Sequence, residues 1–259
     1  MKRGKKMVII VIAILAVISF ITWGVIAYLG RSQTLSVASI ENPRGDLHVI
    51  HLAKPNNITW KAGSYAKITL PSSASGNTKN NYKGDQNQTS RWLSIASSPE
   101  DNEIIIVTHN SGSPYKEALT HLPAGSKVEM SWLGSSLLVT DGDAPLVCFA
   151  SDVGISAMRP IVRQWAGKRP IILYHLDKGV TVFDKELSEL ANKTANVTYE
   201  TNASLSLSQE RFKKSIDTYG KKAQYLLAGQ PDDVKAMKKL LQDNKMYDNV
   251  KSSTFRGLK

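Results

Sequence analysis

Cysteine is nearly absent from this 259-residue chain: Cys148, in the apolar run APLVCFA, is the only one. A single thiol excludes an intrachain disulfide framework, and a metal site built on it would need several outside ligands. It reads instead as a small buried side chain. Histidine is scarce as well. His48, His51, His109, His121 and His175 lack metal-ligand spacing with Cys, Asp or Glu. The loose pair His48 and His51 falls on one strand, where residues three apart face opposite sides. No metal site is expected. The chain also has no G-x-S-x-G elbow, no phosphate-binding P-loop and no internal repeat, which removes the enzyme classes those motifs announce.

Apolar residues make up 42% of the chain, enough for a packed core, and its length suits one large domain or two small ones. The formal charge is +11, with four of the cations in the opening MKRGKK. The others are scattered through KNNYK, RFKK, GKK and KAMKK with no aromatic recognition element between them. That distribution suits anionic lipid or wall polymer, and no nucleic-acid partner is expected.

Residues 7–29, MVIIVIAILAVISFITWGVIAYL, contain no ionisable acid or base apart from a tyrosine. About 20 such residues span a bilayer as a helix. A cleaved signal peptide would have a shorter apolar region and a small-residue cleavage pattern, which this run lacks. Lys2, Arg3, Lys5 and Lys6 precede the run and only Arg31 follows closely. The charge bias therefore predicts a single-pass cell-membrane protein with a cytoplasmic N-terminus, an extracytoplasmic main domain and the lipid bilayer as a partner.

Behind the basic flank (1–6) and the transmembrane helix (7–29), two halves differ in rhythm. Over 34–142 the segments LSVASIE, DLHVIHLA, SYAKITLP, RWLSIAS, EIIIVTH and KVEMSWLG alternate or run apolar between turn residues, with one helix-like interruption at YKEALTHL. This is the pattern of a small antiparallel β-barrel. Over 143–259 strands alternate with amphipathic helices, as in APLVCFAS, PIILYHL, VTYETNA and AQYLLAG followed by ISAMRPIVRQWAG, FDKELSELANK, SQERFKKSIDTYG and PDDVKAMKKLLQD. Such alternation predicts an α/β domain with a parallel sheet. Pro160 should kink or split the first of these helices. The polar stretch 72–90 reads as a mobile surface loop.

One strand is out of character. Residues 91–99, RWLSIASSP, place an arginine and three serines where burial alone would favour apolar alternation, and polar atoms on an inward face need partners. Arg91 and Ser94 in this run match the R-x-Y-S-[IL]-[AS]-S segment of the ferredoxin-NADP reductase family, which the soluble region resembles from about residue 35 onward. Other pieces follow in family order: WKAGSYAKITLP; KEALTHLPAGSKVEMSWLGS with Gly125 and Gly134; PLVCFASDVGISAMRPIV; FDKELSELA; AQYLLAGQPDDVKAM; and the terminal SSTFRG. The resemblance implies an FAD-binding barrel followed by an NAD(P)-binding-like domain. It carries FAD diphosphate binding onto Arg91, ring contact onto Leu93, Ser94 and Ile95, and phosphate pairing onto Lys116. It carries nucleotide docking onto Gly154, Ile155, Ser156 and Gly229. Ser94, able to donate to a ring heteroatom, is the implied catalytic residue.

The departures from the family pattern are equally specific. Leu93 stands where relatives stack a tyrosine on the flavin, and Lys116 stands at a hydroxyl position. Ser151, Asp152, Val153 and Gly154 replace G-G-T-G, which brings a carboxylate to the phosphate path, where like charges repel. Ala228, Gly229, Gln230 and Pro231 replace C-G-P-P. The implied cofactors are FAD and, subject to that carboxylate, NAD(P)H. Two functions follow. One is an FAD-dependent oxidoreductase passing electrons between NAD(P)H and a small-molecule or protein carrier, either a one-electron acceptor or a quinone. The other is a membrane-tethered, non-catalytic flavin-binding or partner-binding module of the same fold.

Overall fold

The computed structural model describes residues 11–12, 14–24, 31–71 and 89–255. In the apolar N-terminal run the described residues are helical and exposed, Phe20 by 81%. Residues 7–10, 13 and 25–29 of the expected span lie outside them, as does most of the polar stretch 72–90. Among the described residues no helix is long and apolar enough to cross a membrane.

Six antiparallel strands form the first half: β1 (Gln33–Arg44), β2 (Leu47–Ala53), β3 (Tyr65–Thr69), β4 (Ser90–Ser94), β5 (Glu103–His109) and β6 (Lys127–Gly134), in the spatial order β4-β3-β6-β1-β2-β5. The sheet curls until its two edges meet, where the Ala96 N–H just after β4 donates to the Ile105 carbonyl of β5 at 2.8 Å. The predicted helical interruption is α1 (Pro114–Thr120), opened by Ser113, whose side chain accepts from the Lys116 N–H. Alternate residues of β3, Ala66 and Ile68, are buried in the barrel core with Leu35, Val37, Val128 and Met130. The run EIIIVTH in β5 breaks this alternation because both faces of the strand are covered. Ile104 and Ile106 point into the barrel, while Ile105 and Val107 join a core shared with the second half.

That second half is a five-stranded parallel sheet of β7 (Leu146–Ser151), β8 (Ile171–Leu176), β9 (Val197–Asn202), β10 (Gln224–Gly229) and β11 (Val250–Thr254), ordered β11-β10-β7-β8-β9. Its helices are α2 (Ile155–Trp165), α3 (Asp184–Lys193), α4 (Leu205–Tyr219) and α5 (Pro231–Asp243). Every residue of β7 and β8 is buried, as strands with helices on both faces must be. Cys148 lies among them, and burial pushes its thiol up to about 12. Pro160 does not split α2, which is helical over all eleven residues and buried from Ile155 to Val162. Packing of that face outweighs the one backbone bond that proline removes.

The two halves are fixed to each other. Arg159 of α2 donates to the Ala96 carbonyl at 2.8 Å and to Glu186 at 2.7 Å, and Arg163 pairs with Asp101 of the barrel at 2.8 Å. Leu47, Val49, Ile105 and Val107 of the barrel share one apolar cluster with Ile155, Met158 and Ile161.

Candidate active site in the cleft between the halves

β4 brings Arg91, Leu93 and Ser94 to one wall of a cavity of about 570 Å³. Val107, Thr108 and Lys116 form its floor on the barrel side, and Ser252–Phe255, at and just beyond the end of β11, close it from the other half. A volume of several hundred Å³ suits a drug-sized ligand or a cofactor ring. Arg91 is half-buried, with its guanidinium 5.3 Å from the centre of the Tyr115 ring and Nη1 donating to the Ser90 carbonyl at 2.8 Å. It does not point into open solvent. The ammonium of Lys116 is buried and donates to the Thr108 hydroxyl. Burial, with Arg91 nearby, lowers its pKa to about 8. Among the described residues lining the cavity there is no carboxylate.

That chemistry can be set against the implied FAD. Two cations converge on a cavity with no anion among its described lining residues, and among those residues a buried ammonium hydrogen-bonded to a neutral hydroxyl has no counter-charge, which buried ions need. A diphosphate supplies it. Leu93 and Phe255 give the cavity apolar surface, and the buried Ser94 hydroxyl is presented to it. The residues fit the group. Trp92, 54% exposed, packs edge-on against Tyr65 at 5.5 Å on the same lining.

Not every residue implied by the resemblance is brought to the cleft. Ile95 is fully buried in the barrel core, and its N–H donates to the Ser64 carbonyl at 2.9 Å. Gly154, Ile155 and Ser156 are buried at the start of α2, where the Ser156 hydroxyl donates to the Val153 carbonyl at 2.6 Å. Gly229 ends β10 away from the cavity lining. The two glycines serve close approach of backbones. A Cβ on Gly154 would lie 2.4 Å from the Ala228 carbonyl oxygen, and one on Gly229 would lie 2.2 Å from the Ser151 hydroxyl.

Reading residues in isolation missed the side chain that ties the halves together at this point, His109. It ends β5, and both its ring nitrogens meet carboxylates: Nδ1 lies 3.0 Å from Asp46 Oδ1 and Nε2 lies 2.6 Å from Asp152 Oδ1. Bonding to both carboxylates takes an N–H on each ring nitrogen, so the arrangement favours the imidazolium form. Gln230 donates to the other oxygen of Asp152 at 2.6 Å, and Lys178 bonds both Gln230, at 2.9 Å, and Asp233, at 2.7 Å. No local signal marks a pair 43 residues apart.

The pair makes stability depend on pH. The hydrogen bond to Asp152 holds the His109 pKa above its ordinary 6.5, against the effect of burial, with Asp46 adding to it. Burial alone would raise Asp152, but hydrogen bonds from His109 and Gln230 prevail and keep it below 3.8. The His109 contribution is complete below pH 6.5 and is lost as pH rises through the raised value. The Asp152 contribution is complete above 3.8 and is lost as pH falls through the lowered one. The melting temperature should therefore decline on the alkaline side, and His109→Gln should flatten that decline. Thermal melts from about pH 5 to about pH 9 check this. Equal slopes in the two proteins would show that the pair contributes nothing.

No family model matches the chain, and no curated protein matches it in sequence. Solved structures do resemble it. A cytochrome P450 reductase from Amycolatopsis superposes with a TM-score of 0.71 at 17% identity, covering 89% of this chain and 72% of that one. Phthalate dioxygenase reductase, described as a modular structure for electron transfer from pyridine nucleotides to a 2Fe–2S centre, gives 0.64 at 15% identity, covering 86% and 68%. A ferredoxin NADP+ reductase from Neisseria gonorrhoeae, with bound FAD and NADP, gives 0.64 at 12% identity, covering 86% and 98%. At these identities the likeness shows the fold: an antiparallel barrel followed by a parallel α/β sheet, the architecture of the ferredoxin-NADP reductase-like domains.

Proposed function

We propose that the chain is a flavin-dependent oxidoreductase, holding FAD in the cleft and exchanging electrons with a one-electron carrier or a quinone. Residues 7–29 tether it to the membrane, with the N-terminus cytoplasmic and the main domain outside. The observation that carries this reading is a cavity on which Arg91 and the buried Lys116 converge, with no carboxylate among its described lining residues. Arg91 offers a planar fork of donors matched to a diphosphate, and Lys116 adds a point charge. The Ser94 hydroxyl is available to donate to a ring heteroatom. Leu93 and Phe255 exclude water from the ring faces. A bound flavin supplies the redox chemistry, taking up electrons in pairs and releasing them singly. Trp92 and Tyr65, at the exposed part of the lining, suit a flat aromatic or protein partner.

A second reading, the tethered non-catalytic flavin-binding or partner-binding module, is favoured by Asp152. The absorption spectrum of the purified chain after incubation with FAD tests both. Flavin bands that survive gel filtration, with ferricyanide reduced when NADH, NADPH or a hydroquinone is added, are the expected result. Bands without turnover by any of these donors select the module, and no bands at all sink both flavin readings.

A further inference from the structure

In open α/β sheets ligands settle outside the carboxyl ends of the strands, at the point where the strand order reverses. Here the chain runs from β7 through β8 to β9 and then crosses back to β10 on the other side of β7, so the reversal lies between β7 and β10. The residues at that point are Ser151 and Asp152 from one strand end and Gly229 and Gln230 from the other. They are already engaged with one another. The Gln230 N–H donates to the Ser151 hydroxyl at 3.0 Å, and the Gln230 amide donates to Asp152 at 2.6 Å. Asp152 is 3% exposed and sits at φ +55, a left-handed backbone usually left to glycine, asparagine or aspartate. His109 reaches across from the barrel to hold its other oxygen. Lys178, two residues beyond β8, is bonded to Gln230 and Asp233.

We propose that Asp152 is a built-in anion that, with Gln230, closes this crevice to nicotinamide dinucleotides, so that the chain takes one dinucleotide, in the cleft, rather than two. The carboxylate lies where a phosphate would approach the strand ends, and the hydrogen-bond donors a phosphate would use there already serve Asp152 and Ser151. Asp152 and Gln230 are thus the specificity-determining residues of the second half, and reducing equivalents reach the cleft from a donor without such a phosphate, such as a hydroquinone. The claim of a single dinucleotide rests on the flavin reading; closure of the crevice does not.

The test uses the full chain in detergent micelles, with NADH and NADPH as calorimetric titrants, and FAD retention measured separately by absorbance. The wild type should show no saturable binding of either nucleotide up to about 1 mM, the upper end of ordinary enzyme affinities. Asp152→Gly should gain at least about tenfold in affinity, the change expected when a buried carboxylate is removed and the His109 cation it paired with is left beside the crevice. Asp152→Asn, which keeps the shape and loses the charge, should gain in the same direction and decides the matter if the glycine variant does not fold. Saturable wild-type binding well below 1 mM, or folded variants that titrate like the wild type, would overturn the proposal. Loss of FAD bands with the nucleotide results as stated would refute the flavin reading and leave the closed crevice standing.

Discussion

Replacing Arg91 with alanine should weaken FAD binding by two orders of magnitude or more. Each charge-assisted hydrogen bond to a phosphate contributes about 1.5–3 kcal/mol, and the guanidinium makes such bonds in pairs. A loss of about 3 kcal/mol is a little over a hundredfold in affinity. The Arg91 bond to the Ser90 carbonyl and its seat over the Tyr115 ring are contributions of about 1 kcal/mol each. Removing the cation also relieves repulsion of the buried Lys116 ammonium. Arg91→Lys should fall between, because an ammonium offers a point charge without the fork. Titrations with FAD followed by absorbance, beside melts of the same proteins without it, check the prediction. An affinity within threefold of wild type would mean that the diphosphate, and with it the proposed orientation of the cofactor, lies elsewhere.

The largest effect on folding should come from Gly229→Ala, a destabilisation of about 4 kcal/mol or more. Gly229 has φ +136, where an L side chain is strained by about 1–3 kcal/mol, and its added Cβ would press to 2.2 Å from the Ser151 hydroxyl and 2.4 Å from the Ser151 carbonyl. Overpacking adds about 1–3 kcal/mol, more where the obstacle is backbone that cannot turn aside. For a domain of this size the melting temperature should fall by roughly 10 °C. The Gly229 carbonyl also accepts the Phe255 N–H at 3.0 Å, so a displaced Gly229 should disturb one wall of the cleft. Gly154→Ala is the control. Its φ is an ordinary −56, so only the clash with the Ala228 and Gly229 backbone remains and it should cost less. Denaturant unfolding of both variants measures the order, and a reversed order would show that the backbone at residue 229 relaxes more readily than its contacts imply.

Much of the architecture was legible because it rests on local pattern. The period of two in YAKIT and the separate period of the helices in FDKELSELANK and PDDVKAMKKLLQD are properties of adjacent residues. β6 (Lys127–Gly134) and α5 (Pro231–Asp243) fall where those patterns place them. Arg91, Leu93 and Ser94 were legible through their order in a short motif, and they line the cleft together with Lys116. Ile95, Gly154, Ile155, Ser156 and Gly229 match motif positions too, but they lie outside the lining of this cleft, Ile95 in the barrel core and the other four where strand ends of the second half meet the start of α2. Proximity to a motif in sequence does not fix the side of the strand or turn on which a residue emerges. The kink expected at Pro160 did not break α2, because burial of the helix face exceeds the cost of one missing bond.

Taken alone, the sequence determined the order of strands and helices, the absence of a disulfide framework and the residue types available for a phosphate, since each depends on composition or short-range periodicity. Only the tertiary structure decided which groups meet. It drew His109 from the end of a barrel strand to Asp152 across 43 residues, buried Lys116 beside a cavity with no carboxylate among its described lining residues, and filled the crevice between β7 and β10 with the chain's own hydrogen bonds. Those encounters join strand ends distant in sequence, and their energies come from desolvation and charge, which have no value until the chain has folded around them.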